Sequence, residues 1–230
     1  NGRHLALSSL ESGIYVIRLL DLETMTDERI RLEGSNWWPR WHPDGGQLAF
    51  LSMRKGDFDV YLKDIRSDDT EEPILAGDED DVPFGWSEDG HELLVFRQNY
   101  VEGAKLTAVR VPTDSSAPVK VLAEGDFLNA DVSSDGRWLA MTILRSGRPE
   151  VFVQPYREPG PRVRVSSRGG INAKWSPDGT ELYYRRGTAI IAQAFREDSG
   201  ASFVPSGNEE VVFESPLLHP KNSWFVVAGR

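Results

Sequence analysis

Serine, histidine and carboxylate side chains are what this chain of 230 residues has for chemistry, and their spacing argues against most of it. A serine nucleophile needs a strained Gly-x-Ser-x-Gly elbow. The nearest stretch, Gly85-Trp86-Ser87-Glu88-Asp89, lacks the closing glycine. His4, His42, His91 and His219 stand singly, with no pair at metal-ligand spacing. His42 and His91 each flank an Asp-Gly pair, so they would approach one rim if those pairs are equivalent. The run Asp78-Glu79-Asp80-Asp81 offers oxygens of the kind calcium prefers. Without the spaced Asp-x-Asp-x-Asp-Gly pattern it reads as a solvated loop, as does Asp68-Asp69 with Glu71-Glu72. Gly169-Gly170 lacks the Gly-Lys-Ser/Thr continuation of a phosphate loop. There is no cysteine, which excludes disulfides, thiolate metal sites and a cysteine nucleophile. No catalytic, cofactor-binding or metal-ligating residue is therefore assigned, and the segment is expected to be non-enzymatic.

Charge narrows the partners. The 36 acidic residues outnumber 26 Lys and Arg, a net charge of -10, whereas nucleic-acid binding needs clustered cations. Against this background Arg145, Arg148, Arg157, Arg162, Arg164 and Arg168 gather within one stretch. They read either as a partner-facing edge or, where Arg alternates with Val at 162–165, as an exposed outer strand. Apolar runs are far shorter than the roughly 18–20 residues of a membrane span. The chain opens Asn1-Gly2-Arg3 without an initiator Met or a secretory signal, which suggests a fragment of something longer.

The elements that must position these residues are set by a repeat. Asp44-Gly45, Asp89-Gly90, Asp135-Gly136 and Asp178-Gly179 stand 45, 46 and 43 residues apart, each followed by a short apolar run. Leu5-Ala6-Leu7 after Gly2 fits the same frame, as does Trp224-Phe225-Val226-Val227 after Asn222. Trp41, Trp86 and Trp175 precede the turns, with Val132 standing in the fourth. Two further apolar segments follow each turn, for example Val151-Phe152-Val153 and Val163-Arg164-Val165, or Ile14–Ile17 and Ile30-Arg31-Leu32. Four short strands per period of about 44 residues predict an all-β chain folded as four-stranded antiparallel propeller blades. In Ser176-Pro177-Asp178-Gly179, Pro177 presets φ at the second turn position and Gly179 takes the positive φ. The strand after each turn is apolar on consecutive residues, as expected when both faces are buried. The tryptophan before the turn should pack between blades. With 21 glycines and 14 prolines punctuating the chain, no long helical period is present.

The Trp-Ser-Pro-Asp-Gly turn and its apolar strand resemble the WD-like repeat of TolB-type propellers; there is no Trp-Asp dipeptide, so it is not the true WD repeat. It also fails as a sialidase Asp-box, because glycine follows Asp135 and Asp178 one residue too early. From residue 129 to about 217 the order Asp135–Ala140, Arg148–Tyr156, Trp175–Arg185, then Phe203, Gly207 and Val211–Glu214 is similar to the propeller that follows the kinase domain in many bacterial serine/threonine protein kinases. The departures are His42 for serine, Glu88 for proline, and the missing tryptophan before Asp135.

The turn residues Trp41, Asp44, Gly45, Trp86, Asp89, Gly90, Asp135, Gly136, Trp175, Pro177, Asp178 and Gly179 are thus expected to be structural. Residues 1–230 read as one propeller domain of about five repeats, part of a ring of six or more blades. A five-bladed closure through Ser215–His219 beside Leu5–Ser8 would leave Trp224–Val227 surplus. The resemblance implies a sensing or interaction module of a kinase-like protein, taking a protein or peptide on a propeller face, outside the cytoplasm. The chain itself carries no kinase motif. A substrate-gating ring of a prolyl-oligopeptidase-like hydrolase and a free-standing TolB-like protein remain alternatives.

Overall fold

A computed structural model describes residues 3–75, 79–98, 106–113, 118–158, 160–197 and 203–216, and all regular structure among them is strand. The chain falls into two compact units, residues 1–124 and 125–230. In the first unit β1 (His4–Glu11), β2 (Ile14–Asp21) and β3 (Thr26–Arg29) form a three-stranded sheet, blade 1. Blade 2 comprises β4 (Asn36–Trp41), β5 (Gln47–Ser52), β6 (Asp59–Asp64) and β7 (Glu72–Leu75). Blade 3 comprises β8 (Asp80–Trp86), β9 (Glu92–Gln98), β10 (Leu106–Pro112) and β11 (Lys120–Gly125). The second unit holds blade 4, with β12 (Phe127–Val132), β13 (Trp138–Arg145), β14 (Arg148–Pro155) and β15 (Val163–Arg164). Blade 5 is β16 (Ile171–Trp175), β17 (Glu181–Arg186), β18 (Ala189–Glu197) and β19 (Phe203–Glu214). Within each sheet the strands follow chain order and pair antiparallel, the meander expected of a propeller blade.

Most of the strands anticipated from the repeat are present. One boundary moves: Ile30-Arg31-Leu32 lies beyond β3, which ends at Arg29. Ile30 still donates its N–H to Ile17 O (3.0 Å), and Ile30 and Leu32 turn onto the core of Ile17, Leu48, Phe50 and Tyr61. That side-chain packing made the segment look like strand. The segment Asn222 and Trp224–Val227, together with Gly2, Asp78 and His219, lies outside the described residues.

The core sits between blades. The second strands are buried on consecutive residues: Leu48 to Ser52 in β5 and Leu139 to Ile143 in β13. Ala49 and Val60 of blade 2 share one cluster with Leu93, Val95 and Val109 of blade 3. In the second unit Trp138, Ala140 and Val151 of blade 4 meet Ala173, Trp175, Leu182 and Tyr184 of blade 5. A strand whose two faces both meet a neighbouring sheet carries no polar alternation.

Candidate functional site

Each Asp-Gly turn is built alike. The glycine N–H donates to the carbonyl three residues back: Gly45 to His42 O, Gly90 to Ser87 O, Gly136 to Ser133 O and Gly179 to Ser176 O, at 2.8–3.0 Å. All four glycines have φ between 66° and 74°, the region that costs other residues strain. Ser87, Ser133 and Ser176 each donate a hydroxyl to the turn aspartate at 2.6 Å. The same hydroxyls accept the N–H of Glu92, Trp138 and Glu181. The Ser176 hydroxyl and the Thr180 N–H hold the Asp178 carboxyl below its ordinary range.

In blade 2 the histidine that replaces serine keeps the contact to the turn aspartate and adds one to the next blade. His42 Nδ1 lies 2.8 Å from Asp44 Oδ1, and its Nε2 donates to Gly90 O at 3.1 Å. The ring packs edge-on to Trp86, 4.8 Å between centroids, and Trp86 Nε1 donates to Arg40 O. His42 therefore binds the turn of the next blade and does not meet His91 in a metal site. Among the described residues no group of three or more His, Cys, Asp or Glu is gathered as a metal site would need. Trp175 is buried against Phe195, while its N–H and Lys174 Nζ both donate to Asp131 of blade 4. Trp41 packs on the Leu48–Phe50 cluster. Of the expected turn residues, Trp86, Gly90 and Trp175 bond to the neighbouring blade, and Pro177 lies exposed at the turn surface.

The acidic run is engaged by Arg97. Asp81 is buried and accepts from Arg97 Nε and Nη2 at 2.9 and 3.1 Å, and Glu79 lies 2.8 Å from the same guanidinium. Burial pushes the Asp81 carboxyl up despite that pairing.

The other end of the strands differs in the first unit. The β1–β2 hairpin and the β5–β6 hairpin are tied together by Ser35: its Oγ accepts Tyr15 N–H (2.9 Å) and its carbonyl accepts Met53 N–H (3.1 Å). Tyr15 packs on Trp37 (5.1 Å), and Trp37 meets Phe58 edge-on (5.9 Å). Around this aromatic chain Leu10, Ile14 and Met53 are exposed. Next to it Trp38 is 41% exposed and has φ +48°. It sits in the bulge that interrupts β4 between Trp37 and Arg40, its N–H donating to Ser8 Oγ of blade 1. The equivalent bulge in β16 places Asn172 at φ +58°. Asparagine tolerates that conformation; a bulky aromatic there is an outlier of the kind that collects at binding sites. The repeat period singles out only Trp41; the two extra tryptophans in Trp37-Trp38-Pro39-Arg40-Trp41 are the sequence signal for this pair.

Comparison with solved structures settles the architecture. TolB from Acinetobacter baumannii superposes with a TM-score of 0.65 at 23% identity, over 91% of this chain and 53% of that one. A TolB-type protein from Agrobacterium tumefaciens gives 0.70 at 19% identity, over 93% of this chain and 77% of that one. A chain of a nidogen–laminin complex gives 0.61 at 12% identity, over 78% of this chain and 68% of that one. The fold is a β-propeller, the one these TolB structures share. An uncharacterized protein of Agrobacterium fabrum is 25% identical over 193 residues, 77% of this chain and 64% of its own length. No protein-family model matches the chain.

Proposed function

We propose that this chain is a non-catalytic, partner-binding propeller segment that takes a protein or peptide on the apolar loop end of its first unit. The observation that carries this reading is Trp38, a large side chain left in solvent in a strained conformation beside Tyr15, Trp37 and Phe58. Exposed aromatic and aliphatic side chains gathered at one place characterise the cores of protein interfaces. The nidogen–laminin structure is of a complex by its name, which supports a partner-binding role for such a ring.

Residues 1–230 are read as one domain, part of a larger ring outside the cytoplasm. A kinase-like parent is carried by the Asp135–Glu214 motif order alone. A free-standing TolB-like parent is the second reading, favoured by the two TolB superpositions. The reading frame on either side of the segment decides between them: a kinase domain and an apolar span upstream, or neither.

A photo-crosslinking amino acid at Tyr15 or Trp38, and as control at Pro177, tests the binding role in the source cells. Cross-linked protein or peptide from Tyr15 and Trp38 but not from Pro177 is expected. Absence of product at all three positions, or equal yield at Pro177, overturns the reading.

A further inference from the structure

In the second unit, the end of the strands away from the Asp-Gly turns carries guanidinium groups. Three connections meet there: the β13–β14 hairpin at Ser146-Gly147, the loop from β15 to β16, and the β17–β18 hairpin at Gly187-Thr188. They border an open cleft of about 550 Å³ lined by Arg148, Arg164, Arg168, Arg185 and Arg186, with Glu150 the single carboxylate of the lining. Sites for small ligands commonly run from about 300 to 1,000 Å³. Such a cluster on a chain of net charge -10 is a local construction, since the protein as a whole repels anions.

The arginines divide into held and unheld. Arg164 donates to the carbonyls of Ser166 and Ser167 and pairs with Glu150. Arg186 pairs with Glu209, which also accepts from Ser167 N–H (2.7 Å), Ser167 Oγ (2.7 Å) and Tyr184 OH (2.5 Å). Arg185 is only 2% exposed, and burial pushes its guanidinium down from the ordinary range. Leu51, Phe96 and Thr142 occupy the same place after the turn in the other blades, so a guanidinium there departs from the repeat. Arg148 and Arg168 are exposed at the rim and form no ion pair among the described residues. The loop that carries Arg168 is pressed close. A Cβ on Gly170 would come 2.4 Å from Tyr184 Cδ2, and one on Gly169 2.9 Å from Pro149 O. The glycines serve that approach and not a phosphate-loop backbone, because Gly170 N–H is already given to Pro149 O.

We propose that this cleft binds a small doubly charged oxyanion, of phosphate or dicarboxylate type, between Arg148 and Arg168 at the rim with Arg185 behind. A planar guanidinium fork matches two oxygens of such a group, and two forks left without carboxylates match a dianion. The site is separate from the apolar loop end of the first unit, so the loss of either leaves the other standing.

Titration calorimetry with inorganic phosphate and, separately, with succinate, at neutral pH and an ionic strength held constant with sodium chloride, tests it. Saturable binding of at least one anion is expected, and which one binds names the source. Arg148→Gln and Arg168→Gln should each weaken it about tenfold, the size of one charge-assisted hydrogen bond. Arg31→Gln, the same charge change on an exposed arginine of the first unit, should leave it unchanged. No saturable heat with either anion, or equal weakening by Arg31→Gln, overturns the proposal. Thermal melts of the variants, expected to match the parent, confirm that a lost signal is lost binding.

Discussion

At the Asp-Gly end of blades 2 and 3, His42 bonds to both its own turn and the next one, Trp86 gives its indole N–H to Arg40, and serine and aspartate oxygens close on backbone N–H groups. At the opposite end of the same unit, Leu10, Tyr15, Trp38 and Met53 turn their side chains to solvent, and Trp38 does so in a left-handed backbone conformation. Both ends are built from the same repeat. The difference lies in what each end exposes: hydrogen bonds within and between blades close the turn end, whereas the loop end carries large apolar side chains in solvent. In the second unit the turn end is the same again, but arginines gather at the opposite end.

The contrast can be broken most forcefully at Gly90. Its φ of +74° strains alanine, and a Cβ there would lie 2.2 Å from His42 Nε2. Gly90→Ala is expected to destabilise the chain by about 2–4 kcal/mol in urea unfolding. Adding His42→Ala should return only the part due to the clash. A Gly90→Ala protein as stable as the parent would mean the turn end is not the rigid one.

Gly179→Val follows, with φ +71° and Ser134 Oγ 3.3 Å from the added Cβ. It should lower the melting temperature clearly more than Asp178→Asn, which keeps an oxygen for the Thr180 N–H. Equal melting temperatures would count against the turn as described. Ser176→Ala leaves Asp178 and the Glu181 N–H without their shared hydroxyl and should cost about 1–2 kcal/mol.

Acid separates the ends in a different way. Burial pushes the Glu209 carboxyl up, but the bonds from Ser167, Tyr184 and Arg186 outweigh it and hold it down to about 2, from an ordinary 4.5. A depressed carboxylate contributes stability that is present above pH 4.5 and is lost as pH falls toward 2. Glu209→Gln should therefore be less stable than the parent at neutral pH, with a flatter decline between pH 4.5 and 2. Parallel acid-unfolding curves for the two proteins would show that Glu209 does not anchor the arginine end.

The smallest effect on stability is expected at Trp38. Trp38→Gly relieves the left-handed strain and should leave unfolding within about 1 kcal/mol of the parent or raise it, while removing the apolar surface proposed to bind. A large loss of stability would place Trp38 among the structural residues and erase the contrast between the ends.

The period of Asp44-Gly45 to Asp178-Gly179 and the apolar run after each pair were enough to read the blades, their antiparallel meander and the positive φ of each turn glycine. Those features are local: a tight turn and an all-apolar strand state their geometry within about ten residues. What His42 does could not be read in that way, because its partners, Gly90 and Trp86, belong to the next blade. The arginine stretch was legible as charge, yet it was split by the fold. Arg164 is tied to the backbone and Arg148 and Arg168 are left at the rim. Arg185 and Arg186 were brought to them from a strand that the charge count had not included. Trp37 and Trp38 were visible as residues, but only the bulge in β4 and the Ser35 bridge between two hairpins decided that one is packed and the other exposed. Local conformation follows from neighbours along the chain; a site is made by residues from different strands and loops, and only their packing determines which of them meet.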